Sequence, residues 1–213
     1  MKRARCFDKL SRTFFFNNKA TTVSYRIFAL LMKTLSLLAA TLTLTSFAPK
    51  PKLTTVKLAP GLSVAMPQGF APLPEAAIAV KFPSPRKPLA VYSNPSGRVD
   101  YSVSMRPTTF GPDYNVLLPM YKASVQRLYT KVDFLTQEVR KVNGRDMVAL
   151  EFISTMSDSR RGANALAPIK KYEYIEYAVQ GEQLYVFSFS APAEEQAQWR
   201  PVAQAALGDI HLK

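Results

Sequence analysis

Cysteine occurs once in these 213 residues, at Cys6, and histidine once, at His211. A single cysteine excludes an intrachain disulfide, and one thiol with one imidazole cannot build a Cys- or His-rich zinc centre. Nothing beyond residue 6 can act as a thiol nucleophile. A Ser/His/Asp triad would have to rest on His211, two residues from the carboxyl end, and no Gly-x-Ser-x-Gly elbow exists to partner it. The eight glycines form neither a Walker loop nor a dinucleotide fingerprint. No cofactor and no metal are therefore expected.

Positive charge is abundant but unevenly spread. The net charge is +13, yet eight of the 28 Lys and Arg, and one of the 15 acids, fall in residues 1–48. The other 165 residues carry 20 basic and 14 acidic side chains, a net of +6. That bias aids solubility and is too weak to mark a nucleic-acid binder, so no nucleic-acid partner is expected.

The amino-terminal segment reads as an export signal starting at Met32. Lys33 supplies the charged start, Leu35 to Leu44 the apolar run, and Ser46-Phe47-Ala48 the small residues at which cleavage occurs. No cysteine follows that run, which excludes a lipoprotein. The reading divides the chain into residues 1–31, a mis-assigned or disordered extension; 32–48, the signal peptide; 49–61, a linker and first strand; and 62–213, one α+β domain. The product is periplasmic or extracellular, without stable membrane insertion once the signal is cleaved. The alternative is an uncleaved anchor over residues 27–48, long enough to span a bilayer but only weakly apolar. Export without disulfides is compatible with a bacterial envelope.

In the body, apolar alternation and turn residues predict mostly strands. Leu53 to Leu58 and Leu62 to Met66 flank the Pro60-Gly61 turn. A proline-rich stretch from Pro67 through Pro88 reads as an irregular loop, with at most a short helix or strand at 76–82. Leu89–Ser93 and the alternating Val99, Tyr101, Val103 and Met105 form a hairpin across Asn94-Pro95-Ser96-Gly97. Leu117, Tyr121, Val125, Leu128 and Val132 make one apolar stripe of an amphipathic helix, with Pro119 in its first turn. Glu138–Val142 and Arg145–Thr155 flank Asn143-Gly144, a strong hairpin signal, and Tyr172–Val179 pairs with Gln183–Ser190 across Gln180-Gly181. A second helix begins at Pro192, presents Trp199, Val202, Ala203, Ala206 and Leu207 inward, and ends before Gly208, where a short last strand follows. Strands apolar on both sides require layers above and below, which the two helices supply.

Three of these segments resemble the PsbP-like superfamily, which includes an oxygen-evolving-complex subunit, Ran-binding Mog proteins and envelope proteins of the DcrB type. They are Leu62 through Phe70, a strand entering a Pro-x-Gly-aromatic turn; Val142 through Phe152; and Tyr172 through Pro192 followed by Trp199. The resemblance covers residues 62–212 and rests on turns and core aromatics. It implies a central antiparallel sheet with helices packed on both faces, an α/β/α sandwich. It also implies a non-enzymatic accessory role, although no partner-binding residue can be carried over position by position. Function by fold analogy is an association only.

For binding, the polar segment 157–164 stands out, because binding groups concentrate on loops held by a rigid sheet. Arg160 and Arg161 offer bidentate grips for a carboxylate or phosphate, with Lys170 and Lys171 at the loop's end. Tyr172 and Tyr174, with Tyr177 and Tyr185, suggest an aromatic platform, although strand aromatics ordinarily pack. Glu151, Glu173 and Glu176 are the carboxylates from which a hydrolase would be built. That mechanism requires a raised pKa at Glu151 and two carboxyls held in one cleft. The composition thus favours a non-enzymatic exported protein that binds another envelope protein. A small-molecule or polysaccharide carrier is the alternative, and a carboxylate hydrolase comes third.

Overall fold

The computed structural model describes residues 51–83, 86–158 and 166–213. The 1–31, 32–48 and 27–48 segments read above as extension, signal and anchor lie outside the described residues, as do Arg160 and Arg161. Residues from Lys50 to Lys213 form one unit.

A three-stranded antiparallel sheet has the order β1 (Leu53–Ala59), β2 (Leu62–Pro67), β10 (Ile210–Leu212). A seven-stranded antiparallel sheet runs β3 (Ala71–Pro72), β4 (Ala90–Ser93), β5 (Asp100–Pro107), β9 (Gln183–Pro192), β8 (Ile169–Gln180), β7 (Arg145–Met156), β6 (Lys131–Val142). Among the described residues, three α-helices accompany the sheets: α1 (Glu75–Lys81), α2 (Tyr114–Leu128) and α3 (Gln196–Leu207), the last entered through a 3₁₀ turn at Ala193–Glu195.

Strand alternation sends successive side chains to opposite faces, so the large sheet needs two covers. On one face Tyr101, Val103, Met147, Ala149, Tyr172, Tyr174, Phe187 and Phe189 pack against Leu62, Val64 and Met66 of β2 and Ala203, Ala206 and Leu207 of α3. Phe70, Phe189 and Trp199 meet there with ring centroids about 6 Å apart. On the other face Val148, Leu150, Phe152, Tyr177, Val179 and Leu184 pack against Leu117, Tyr121 and Val125 of α2. Each fully buried Phe or Leu contributes roughly 1.5–3 kcal/mol relative to exposure. The expected arrangement, an antiparallel sheet with helices on both faces, is the one observed.

Two expectations change. Helix α2 ends at Leu128, and Val132 belongs to β6, where it pairs with Ser154. Residues four apart share a face in a strand as well as in a helix, so the apolar stripe continued through the change of structure. Pro119 lies in the second turn of α2, past the Asp113 cap whose carboxylate accepts from the Asn115 N–H at 3.1 Å. Its ring therefore leaves the Asn115 carbonyl without its helical donor. The α1 segment, by contrast, was legible only as a short helix or strand, since none of its residues is buried. It is tied down at its end by Lys81, whose Nζ lies 2.7 Å from Asp100 and 2.9 Å from the Gly97 carbonyl.

Candidate functional site

The three carboxylates considered for catalysis are all buried, but they do not form a cleft. Glu151 sits opposite Tyr174 across β7–β8, which puts it on the α3 face with Glu176, whereas Glu173 points to the α2 face. The Glu151 carboxylate is 1 % exposed and is ringed by donors. Arg200 of α3 approaches in bidentate fashion, Nε to Oε1 at 2.8 Å and Nη2 to Oε2 at 3.0 Å. The Tyr172 hydroxyl donates to Oε1 at 2.7 Å, the Thr136 hydroxyl to Oε2 at 3.0 Å, and the Gln204 amide to Oε2 at 3.4 Å. Burial alone would raise the pKa. The hydrogen bonds from Arg200, Tyr172 and Thr136, with the Arg200 charge, outweigh it and hold the carboxyl below its ordinary value. A general acid at Glu151 would need the opposite shift, so that expectation is overturned: Glu151 clamps α3 to the sheet.

Glu176 is fully buried and ion-paired with Arg140, whose guanidinium also lies over the Tyr174 ring at 5.4 Å. Burial pushes its pKa up to about 7 against the pull of Arg140. Glu173, also buried, rises to about 7 through desolvation, offset in part by Lys171 and Ser190. His211 lies on the outer strand of the small sheet, 2.9 Å from Asp209. Among the described residues no cluster of His, Cys, Asp and Glu could hold a metal ion.

Three of the four tyrosines proposed as a platform are core residues, and the fourth, Tyr185, is half-buried and stacked on Phe187. Tyr172 and Tyr174 are even-numbered on β8 and so point beneath α3, the first spending its hydroxyl on Glu151. Tyr177 is buried on the other face, stacked on Tyr121 with centroids 4.1 Å apart. None of these three presents a ring to a ligand. Lys170 and Lys171 are exposed at the start of β8.

What the lysines accompany was not foreseen. Met156 and Ile169 form the last cross-strand pair of β7 and β8, and both are exposed, by 54 % and 63 %. Leu166, 68 % exposed, is held beside them by its N–H donating to the Asp158 carboxylate at 3.1 Å. The Ser157 N–H donates to the Thr130 hydroxyl at 3.0 Å, which brings the end of α2, with Leu128 67 % exposed, to the same place. Lys131, at the start of β6, pairs with Asp133. Four large apolar side chains, each more than half exposed, thus share one end of the sheet with Lys131, Lys170 and Lys171. Exposed apolar clusters with polar rims mark interaction surfaces more often than isolated exposed residues do. The signal was present in the sequence as apolar residues at 128, 156, 166 and 169, but only strand pairing shows that they converge.

No protein-family model matches this sequence, and no curated protein matches it. Similarity appears among solved structures. The Ran-binding protein Mog1p of Saccharomyces cerevisiae aligns with a TM-score of 0.51 and 15 % identity, over 76 % of this chain and 96 % of Mog1p. Cyanobacterial PsbP (CyanoP) from Synechocystis aligns at 0.49 and 14 % identity, over 80 % of this chain and 98 % of that one. LpqN of Mycobacterium tuberculosis, involved in cell envelope biogenesis, aligns at 0.44 and 13 %, over 76 % and 92 %. With sheet order, layer arrangement and the Mog1p alignment in agreement, the chain has the PsbP/Mog1-like α/β/α sandwich fold.

Proposed function

We propose that this protein is an exported, non-catalytic accessory protein of the bacterial cell envelope, and that it binds another protein through the β7–β8 end of its large sheet. One observation carries the reading: Leu128, Met156, Leu166 and Ile169 are exposed together beside exposed lysines. The chemistry suits a partner with an apolar patch bordered by acidic side chains, since the apolar groups supply affinity and the lysines orientation. The fold shared with a Ran-binding protein supports a binding role by analogy, and the export signal read at 32–48 supports the compartment. Glu151, the carboxylate a hydrolase would need first, is occupied in holding α3.

Site-specific photo-crosslinking in the native host tests this. A crosslinker at Ile169 is expected to capture one protein that the same group at Val80, exposed on α1, does not. Identical capture from both positions, or capture at neither, would overturn the reading. Introducing Leu166→Asp should abolish capture from position 169 while leaving the fold intact.

A further inference from the structure

The two outer strands of the large sheet differ in length. On one side lies β3, of two residues, and on the other β6, of twelve. An outer strand presents a row of unpaired backbone donors and acceptors, which short strands, charges and bulges usually protect. The first half of β6 is protected in this way: Lys131 pairs with Asp133, and a bulge falls between Phe134 and Thr136. The second half, residues 136–142, pairs with β7 without any shift of register.

The hairpin turn fixes which backbone groups of this half are free. Val142 and Arg145 close the two-residue turn Asn143-Gly144, and in such a turn the closing pair exchanges both of its hydrogen bonds. Alternation then directs the N–H and C=O groups of Val142, Arg140 and Glu138 toward β7, and those of Lys141, Val139 and Gln137 outward. Among the described residues no strand pairs with that outward row. Its side chains are also unusual for a protected strand. Val139, opposite Val148 on the α2 face, is 39 % exposed. Glu138 and Arg140 lie opposite Ala149 and Met147 on the α3 face. Glu138 is exposed and has no ion-pair partner among the described residues. Arg140 holds Glu176, yet 24 % of its side chain remains exposed.

The order acidic, apolar, basic at residues 138–140 is complementary to itself when read antiparallel. We propose that two copies of this chain join through residues 136–142 of β6, antiparallel about Val139, so that their seven-stranded sheets become continuous. Val139 then faces the partner subunit's Val139, Gln137 faces the partner subunit's Lys141, and Glu138 faces the partner subunit's Arg140. The outward backbone groups of Gln137, Val139 and Lys141 find their hydrogen bonds in this register. Each Arg140 lies between its own Glu176 and the partner subunit's Glu138, and opposite charges directly across a strand pair stabilise it. A two-fold axis repeats every such contact, as an isologous interface requires, which favours a second copy over an unrelated strand. The site is separate from the proposed docking surface, because Lys131 begins β6 at that end and residues 136–142 lead to the turn at the other.

Sedimentation equilibrium of the full chain tests the proposal. The parent is expected to dimerise as its concentration rises. Glu138→Lys sets like charges opposite each other at two symmetric places and should weaken the dimer by about tenfold or more. Val139→Pro removes an outward N–H that β7 does not use, so the variant should fold and remain monomeric. In a Cys6→Ser background, Val139→Cys should form a disulfide-linked dimer on mild oxidation, because directly opposed residues bring their Cα atoms within disulfide reach. Leu135→Cys, which faces no copy of itself, should not. The proposal is overturned if the parent stays monomeric at every soluble concentration, if Glu138→Lys or Val139→Pro dimerises as tightly as the parent, or if Leu135→Cys cross-links as readily as Val139→Cys. Leu166→Asp should leave dimerisation unchanged, and a second copy doubles the chain's mass, so this dimer is distinguishable from the partner expected at the β7–β8 end.

Discussion

A carboxylate withdrawn from water is tolerable only when its charge is answered, and Glu151 shows how completely this fold does so. Five donors reach its two oxygens, two of them from Arg200. Removing the arginine would leave a buried charge with neutral donors only. Arg200→Met is therefore expected to destabilise the protein by about 3 kcal/mol, seen as a lower urea midpoint. Arg200→Lys should recover only part of the loss, because an ammonium cannot match the two-point contact. Glu173 and Glu176 behave in the opposite sense. Burial raises both from an ordinary 4.5 to about 7, so each holds its proton to a higher pH in the folded state than in the unfolded chain, and the ion pair of Glu176 with Arg140 forms as Glu176 ionises. Their stabilising contribution is full below pH 4.5 and declines as pH rises through about 7. Glu151, whose pKa is lowered, contributes above 4.5 and loses that contribution as pH falls through its folded value. Stability should therefore peak on the acid side of neutrality and fall between about pH 5 and 7.5, as urea titrations at each pH would show. Glu173→Gln should flatten that fall; a stability that climbs steadily to pH 7.5 would contradict the assignment.

Two of the glycine turns that join the elements carry different constraints. In the β6–β7 turn Asn143 and Gly144 both take positive φ, at 46° and 83°, the geometry that a two-residue hairpin turn demands. A Cβ at Gly144 would meet nothing within 4 Å, so Gly144→Ala carries only the conformational penalty of about 1–2 kcal/mol. Gly61, at φ 77°, would in addition place its Cβ 2.9 Å from the Lys213 carbonyl oxygen. Gly61→Ala should therefore cost more than Gly144→Ala when both are measured by chemical denaturation. Turns of this kind were readable from the residues alone, as were the paired strands and the inner face of α3, because local sequence determines them. The start of β6 was not, because the apolar side chain at Val132 fits the spacing of the preceding helix as well as that of a strand. Nor could Glu151 be distinguished from a catalytic acid, since Thr136, Tyr172, Arg200 and Gln204 come from three other elements. Tyr172 and Tyr174 could be placed on one face by alternation, but which face is covered depends on where β2 and α3 pack.

At the scale of the whole domain, the large sheet separates two chemically distinct ends. One carries exposed apolar residues with lysines, and the other an open cleft with Phe110 among its lining residues. The helices leave both open: α3 and the small sheet cover one face, and α2 runs across β6 and β7 on the other. No helix among the described residues is long and apolar enough to cross a membrane. The proposed role rests on the first of these ends. Native mass spectrometry of the protein recovered from its host's envelope, compared with a Leu166→Asp/Ile169→Asp variant, tests that role most directly. The account predicts an added protein mass on the parent that is missing from the variant, with both melting at the same temperature because both substituted side chains are exposed. A parent that is always bare, or a variant that keeps the added mass, would contradict it.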